Sequence, residues 1–125
     1  MSKHVVDLFW EYINNQDYDK LYEITSEDTK VWFPNTKEMF KDRESYIAFN
    51  KRCPFKRDMF VDKIYTSNED AISLVRIYNK ENDIDFRSTA FFKIKNDIIQ
   101  DIVEYWGEEG EYCKRILGNT LSQKY

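Results

Sequence analysis

Val5, Leu8, Phe9, Tyr12 and Ile13 fall at i, i+3, i+4, i+7 and i+8, the spacing that lays one apolar stripe along a helix. Asn14-Asn15-Gln16-Asp17 breaks the stripe and can cap a second short helix carrying Tyr18, Leu21, Tyr22 and Ile24. Ser26-Glu27-Asp28 reads as a turn, and Val31-Trp32-Phe33 as a short strand stopped by Pro34-Asn35. Asp42 suits the N-cap of a third helix bearing Tyr46, Ile47 and Phe49, with Glu44 favourable in its first turn.

Near residue 57 the period changes. Residues 58–66, 70–79, 85–95 and 98–106 are rich in Ile, Val, Phe and Tyr, the composition of strands. Ser67-Asn68-Glu69, Lys80-Glu81-Asn82-Asp83 and Asn96-Asp97 separate them, and the last is a two-residue hairpin signal. Links this short join neighbouring antiparallel strands and leave no room for parallel crossovers. The prediction is an α+β domain: three N-terminal helices on one face of a curved, mainly antiparallel sheet, with the short 31–33 strand at one edge.

Composition changes this picture in three ways. The chain has 125 residues, which fits one domain over 1–125 with a core that needs no disulfide staples. Its net charge of −4 comes from interspersed acids and bases, so neither nucleic acid nor membrane is expected as a partner. Aromatic residues make up 17% of the chain, enough to build a core, line an apolar pocket or cover a dimer face. Two cysteines, Cys53 and Cys113, make no disulfide framework, and no secretory or membrane-spanning segment is expected. The expected location is the reducing cytoplasm.

Asn14 to Tyr22, then Asp28-Thr29-Lys30-Val31-Trp32-Phe33-Pro34, resemble the opening of the nuclear-transport-factor-2-like superfamily. Lys41 to Ile47 resembles the segment that opens the third helix of those proteins, and Ile98 to Trp106, closing on Gly107, resembles their last long strand. The resemblance covers roughly residues 5–107. It implies a cone of helices over a strongly bent sheet enclosing a deep, mostly apolar pocket, and a homodimer through the outer sheet face. The superfamily includes steroid isomerases, SnoaL-like polyketide cyclases, epoxide hydrolases, dehydratases and non-catalytic binding modules.

The steroid isomerases of this superfamily use a Tyr on the first helix, an Asp just before the Pro of the first strand, and an Asp on the penultimate strand. The corresponding residues here are Phe9, Phe33 and Ala90. These side chains supply neither a carboxylate base nor an oxyanion donor, so ketosteroid isomerisation by that constellation is not expected.

The last strand offers another candidate. Alternation turns Ile102, Glu104 and Trp106 toward the pocket, and Asp101, Val103 and Tyr105 outward. Glu104 between two apolar residues can have a raised pKa and act as acid or base, as the late acid of SnoaL-like cyclases implies. It can equally be ion-paired across the sheet or sit at a wet rim. Arg76 and Arg87 are its candidate partners, and such an Arg in the pocket, Arg76 above all, can bind an anionic ligand or polarise an epoxide oxygen; otherwise they form solvent-facing pairs. Ser88, Ala90 and Phe92 share the pocket-facing parity of the penultimate strand, and Phe9, Ile13, Phe33 and Tyr46 complete the expected lining.

Weaker signals point elsewhere. His4 is the only histidine and lies near the N-terminus, which disfavours a Ser-His-Asp mechanism. The spacing of one His and two Cys implies no metal, and no cofactor is expected. Glu104, Glu108, Glu109 and Glu111 form a hard-cation site or a solvated acidic loop. Lys51 to Arg57 is a basic stretch that can lower the pKa of Cys53, hold an anion or simply be solvated. Tyr112, Ile116 and Leu117, ended by Gly118, suggest one helical turn in the tail. The reading at this point is a pocket for a small apolar or mixed-polarity ligand. Its chemistry is either SnoaL-like isomerisation, cyclisation or hydration, or binding without catalysis in a ligand-binding or structural dimer.

Overall fold

The computed structural model describes residues 2–108 together with 110, 118, 123 and 125. The elements run α1 (Ser2–Asn14), a 3₁₀ segment (Tyr18–Glu23), β1 (Thr25–Phe33), β2 (Glu38–Phe40), α2 (Arg43–Lys51), β3 (Asp58–Ser67), β4 (Asp70–Asn79), β5 (Ile84–Lys95) and β6 (Ile98–Glu108). The helical turn expected at Tyr112, Ile116 and Leu117 lies outside the described residues. No helix is long and apolar enough to cross a membrane among the described residues.

The six strands form one open mixed sheet in the order β2-β1-β6-β5-β4-β3. From β3 to β6 it is the antiparallel meander expected from the short links. Asn96 and Asp97 both have positive φ, the requirement of a tight two-residue hairpin, and both residue types tolerate it.

The first strand departs from the prediction. It runs over Thr25–Phe33, not only 31–33, and it is not an edge: it pairs parallel with β6, while β2 takes the edge beyond it. Ser26-Glu27-Asp28, read as a turn, leaves the ladder as a bulge, because the register shifts between Thr25 and Lys30. Thr29 closes this bulge. Its hydroxyl accepts from Ser26 N at 2.8 Å and donates to the carbonyl of Ile99 at 2.7 Å. Side-chain bonding of this kind is a local alternative to the ladder, so the turn signal and the strand coexist.

The helices cover one sheet face. Val5, Val6, Phe9, Trp10 and Ile13 of α1 are buried with Ala71, Val75, Ala90, Phe92 and Ile102 of the sheet. Asp42 caps α2, its Oδ1 accepting from Ser45 N at 2.8 Å, as its position suggested. Asn14, at the end of α1, accepts from Met59 N at 2.8 Å and so ties the helix to the start of β3.

Candidate functional site

Between the two helices and the covered sheet face lies a recess of about 140 Å³. Ile13 of α1, Phe33 of β1, Phe49 of α2, Phe86 of β5 and Trp106 of β6 give it apolar walls. Its polar lining comes from Trp10, Tyr46, Asn50, Arg57 and Glu104. Trp106 is held at its backbone. Asn35 donates to its carbonyl at 2.9 Å and accepts from its N–H at 3.1 Å, so the residue after Pro34 closes the end of β6.

Glu104 sits in β6 opposite Ala90, which in turn pairs with Ser73. These two small residues leave the carboxyl room on a face otherwise filled by rings and aliphatic chains. Glu104 is only 6% exposed. Its Oε2 accepts from the Ser88 hydroxyl at 2.6 Å. Burial pushes the Glu104 carboxyl above its ordinary value, and the Ser88 hydrogen bond and the Arg57 charge pull back without cancelling the effect. Tyr46 is raised as well, by burial first and by the Glu104 charge next, so its phenol stays protonated and can donate.

Two polar residues of this site escaped the sequence reading. Asn50, 2% exposed, donates to the Tyr46 carbonyl at 3.0 Å and accepts from Arg57 Nη2 at 2.9 Å. In the sequence Arg57 ends a basic connection, Lys51 to Arg57. It precedes β3 with the parity of Met59, which also lines the recess, and that parity was the available signal. Trp10 donates to the Ser73 hydroxyl at 3.0 Å, so its ring is fixed between helix and sheet.

Of the other expected lining residues, Ile13, Phe33, Tyr46 and Trp106 line the recess together with Glu104, and Ser88 joins it through its bond to Glu104. Phe9, Ala90, Phe92 and Ile102 are instead buried in the core beside it. Phe9 stacks on Tyr46 at 6.2 Å and meets Phe92 edge-on at 5.3 Å. Phe9 and Ala90, two of the three positions compared with the isomerase constellation, are therefore closed into the core, and Phe33 alone borders the recess.

Arg76 stands on the opposite sheet face. It makes a two-pronged pair with Asp85, both bonds 2.9 Å, and lies over the Tyr78 ring. Arg87 pairs there with Asp62 at 2.7 Å. Alternation along β4 explains the correction: Ala71, Ser73, Val75 and Ile77 are the buried set, so Arg76 has the other parity. Met59, paired in register with the buried Ile77, lies in the recess for the same reason. Among the acids at the chain's end, Glu104 points into the core, Glu108 is exposed, and Glu109 and Glu111 lie outside the described residues.

No protein-family model and no curated protein matches the sequence. Solved structures do match the fold. The ketosteroid-isomerase-like protein of Kribbella flavida superposes with a TM-score of 0.81 at 15% identity, covering 98% of this chain and 91% of that one. An NTF-2-like protein of unknown function from Burkholderia xenovorans gives 0.79 at 16% identity, with 92% and 91% covered. An LEH-like epoxide hydrolase of Mycobacterium tuberculosis gives 0.73 at 11%, with 83% and 80% covered. Identities this low carry the fold and no particular chemistry, and the fold is that of the nuclear-transport-factor-2-like superfamily.

Proposed function

We propose that the recess binds one small, largely apolar molecule and that Glu104 exchanges a proton with it, in an isomerisation, cyclisation or hydration of the SnoaL-like kind. One observation carries this reading. A carboxyl group almost withdrawn from water lines a cavity walled by rings, with the Ser88 hydroxyl as its one hydrogen-bond partner among the described residues. Burial shifts this carboxyl upward, the direction that general acid–base work near neutral pH requires. At about 140 Å³ the recess suits a ligand below drug size, whose pockets run from roughly 300 Å³ upward.

Binding without catalysis is the second reading. The T-shaped contacts of Phe33 with Phe40, Phe49 and Trp106 favour it, because a wall of rings closed on itself needs no reaction to explain it. A small-fragment screen followed by amide and indole NMR shifts tests the shared claim. Shifts clustered on Trp106, Phe33 and Glu104 are expected. A complete absence of binding at millimolar fragment would leave only a structural role.

The same reading has the protein act as a cytoplasmic homodimer joined through the outer sheet face. Register aligns Trp32, Val103, Phe91, Ile72 and Tyr65 as one apolar row across five strands. Phe91 is 42% and Tyr65 54% exposed, more than a lone chain needs to leave in water. Lys30, Asp101, Lys93 and Asp70 alternate in sign along the next row, a polar rim for such a contact. A twofold pairing of this face is the simplest cover. Sedimentation at micromolar concentration should show a dimer, and Phe91→Lys should yield monomer. A wild-type monomer at that concentration contradicts the assembly.

A further inference from the structure

We infer that the recess selects organic anions: a carboxylate, or an oxygen of like charge, on an aromatic or apolar body, held by the guanidinium of Arg57. The inference rests on the binding role just proposed and specifies its ligand class. Arg57 lines the recess at the entry to β3. Its Nη2 is taken by Asn50 Oδ1, a neutral acceptor, at 2.9 Å. Its Nε is shielded from solvent and has no acceptor among the described residues.

Four other cations are matched locally. Lys51 pairs with Asp19, Lys56 with Asp58, Arg76 with Asp85, and Arg87 with Asp62. Arg57 forms no ion pair among the described residues. Glu104 feels its charge across the recess without pairing with it, because its Oε2 is turned to Ser88. A partly buried guanidinium whose bonds are incomplete is costly, and an anionic oxygen arriving in the recess completes it.

Geometry fixes the recognition. Asn50 is itself anchored to the Tyr46 carbonyl, so it holds the guanidinium plane in place before any ligand enters. A planar fork oriented in advance is suited to a carboxylate, which can take two parallel N–H donors. Phe33, Phe49, Phe86 and Trp106 receive the rest of the molecule. Burial raises the Glu104 carboxyl, which works against a negative charge facing the incoming anion.

The test compares two near-isosteres, phenylacetate and phenylacetamide, titrated into the full chain and followed by calorimetry at near-neutral pH. Phenylacetate is expected to bind at least about tenfold more tightly, the size of one charge-assisted hydrogen bond. Arg57→Gln should erase that preference by weakening the carboxylate alone, with the amide unchanged within about twofold. Arg57→Lys should keep part of it. Equal affinity of the two probes for the wild-type protein, or a carboxylate preference that survives Arg57→Gln, would overturn the inference while leaving recess binding intact. If neither probe binds at millimolar concentration, the binding role fails and this inference with it. The wild-type comparison decides the question even if a variant does not fold.

Discussion

Phe92→Ala should destabilise the fold by roughly 3–5 kcal/mol, read from the urea midpoint at constant m-value. Phe92 is 2% exposed and lies on the covered face of β5, paired in register with Ala71 and Ile102. Its ring meets Phe9 edge-on at 5.3 Å and Trp10 at 6.4 Å. Removing it takes away the transfer energy of a full ring and opens a void under α1. The neighbours are poorly placed to fill that void, since Trp10 is pinned to Ser73 and Phe9 is stacked on Tyr46. A loss below about 1.5 kcal/mol would mean that the helix collapses freely onto the sheet. Because Tyr46 also lines the recess, the same variant should weaken ligand binding.

Glu104→Gln is expected to have the largest effect on function. It preserves shape and can still accept from Ser88, but it cannot exchange a proton, so any acid–base turnover should fall by about 10²- to 10⁴-fold. Its effect on stability should depend on pH. Burial raises the Glu104 carboxyl above its ordinary 4.5, so as pH rises the unfolded chain releases this proton before the folded protein does. Between the two values the folded state binds more protons, and raising pH favours unfolding. Wild type should therefore match the variant below about pH 4.5 and lose stability relative to it above that, by at most about 1.4 kcal/mol per pH unit, until the folded carboxyl has ionised. Asp42 and Asp85 act in the opposite sense, since the backbone bond from Ser45 and the bond from Arg76 hold them low. Both acids are common to the two proteins and cancel in the comparison. A flat difference between wild type and variant across pH 4–8 would contradict the raised carboxyl.

The meander was legible because its signals are local. Asn96-Asp97 dictates its own turn, and alternation over 101–106 places Glu104 inward without reference to any other strand. The first strand was not, because its partner is β6, some seventy residues away. The acids and hydroxyls of Ser26 to Thr29 look like a turn until the Ile99 carbonyl arrives to receive Thr29. Arg76 was misplaced because a lone arginine in an apolar strand carries no mark of its face, and only the buried set around it shows the parity. Arg57 was harder to place for another reason, although it shares the parity of Met59. It ends a basic stretch with an exposed Lys56 before it, while its partner is Asn50 in the preceding helix.

The most direct test of the account is the titration of the Glu104 side-chain carbon by ¹³C NMR in the free protein, with Glu104→Gln to assign the signal. The midpoint should lie clearly above 4.5, and Ser88→Ala should raise it further, because that change removes the hydrogen bond that favours the ionised form. A midpoint at or below 4.5 would show a carboxylate in contact with water or a cation. Glu104 would then have no proton to give, and the recess would be a binding site or a packed core without acid–base chemistry.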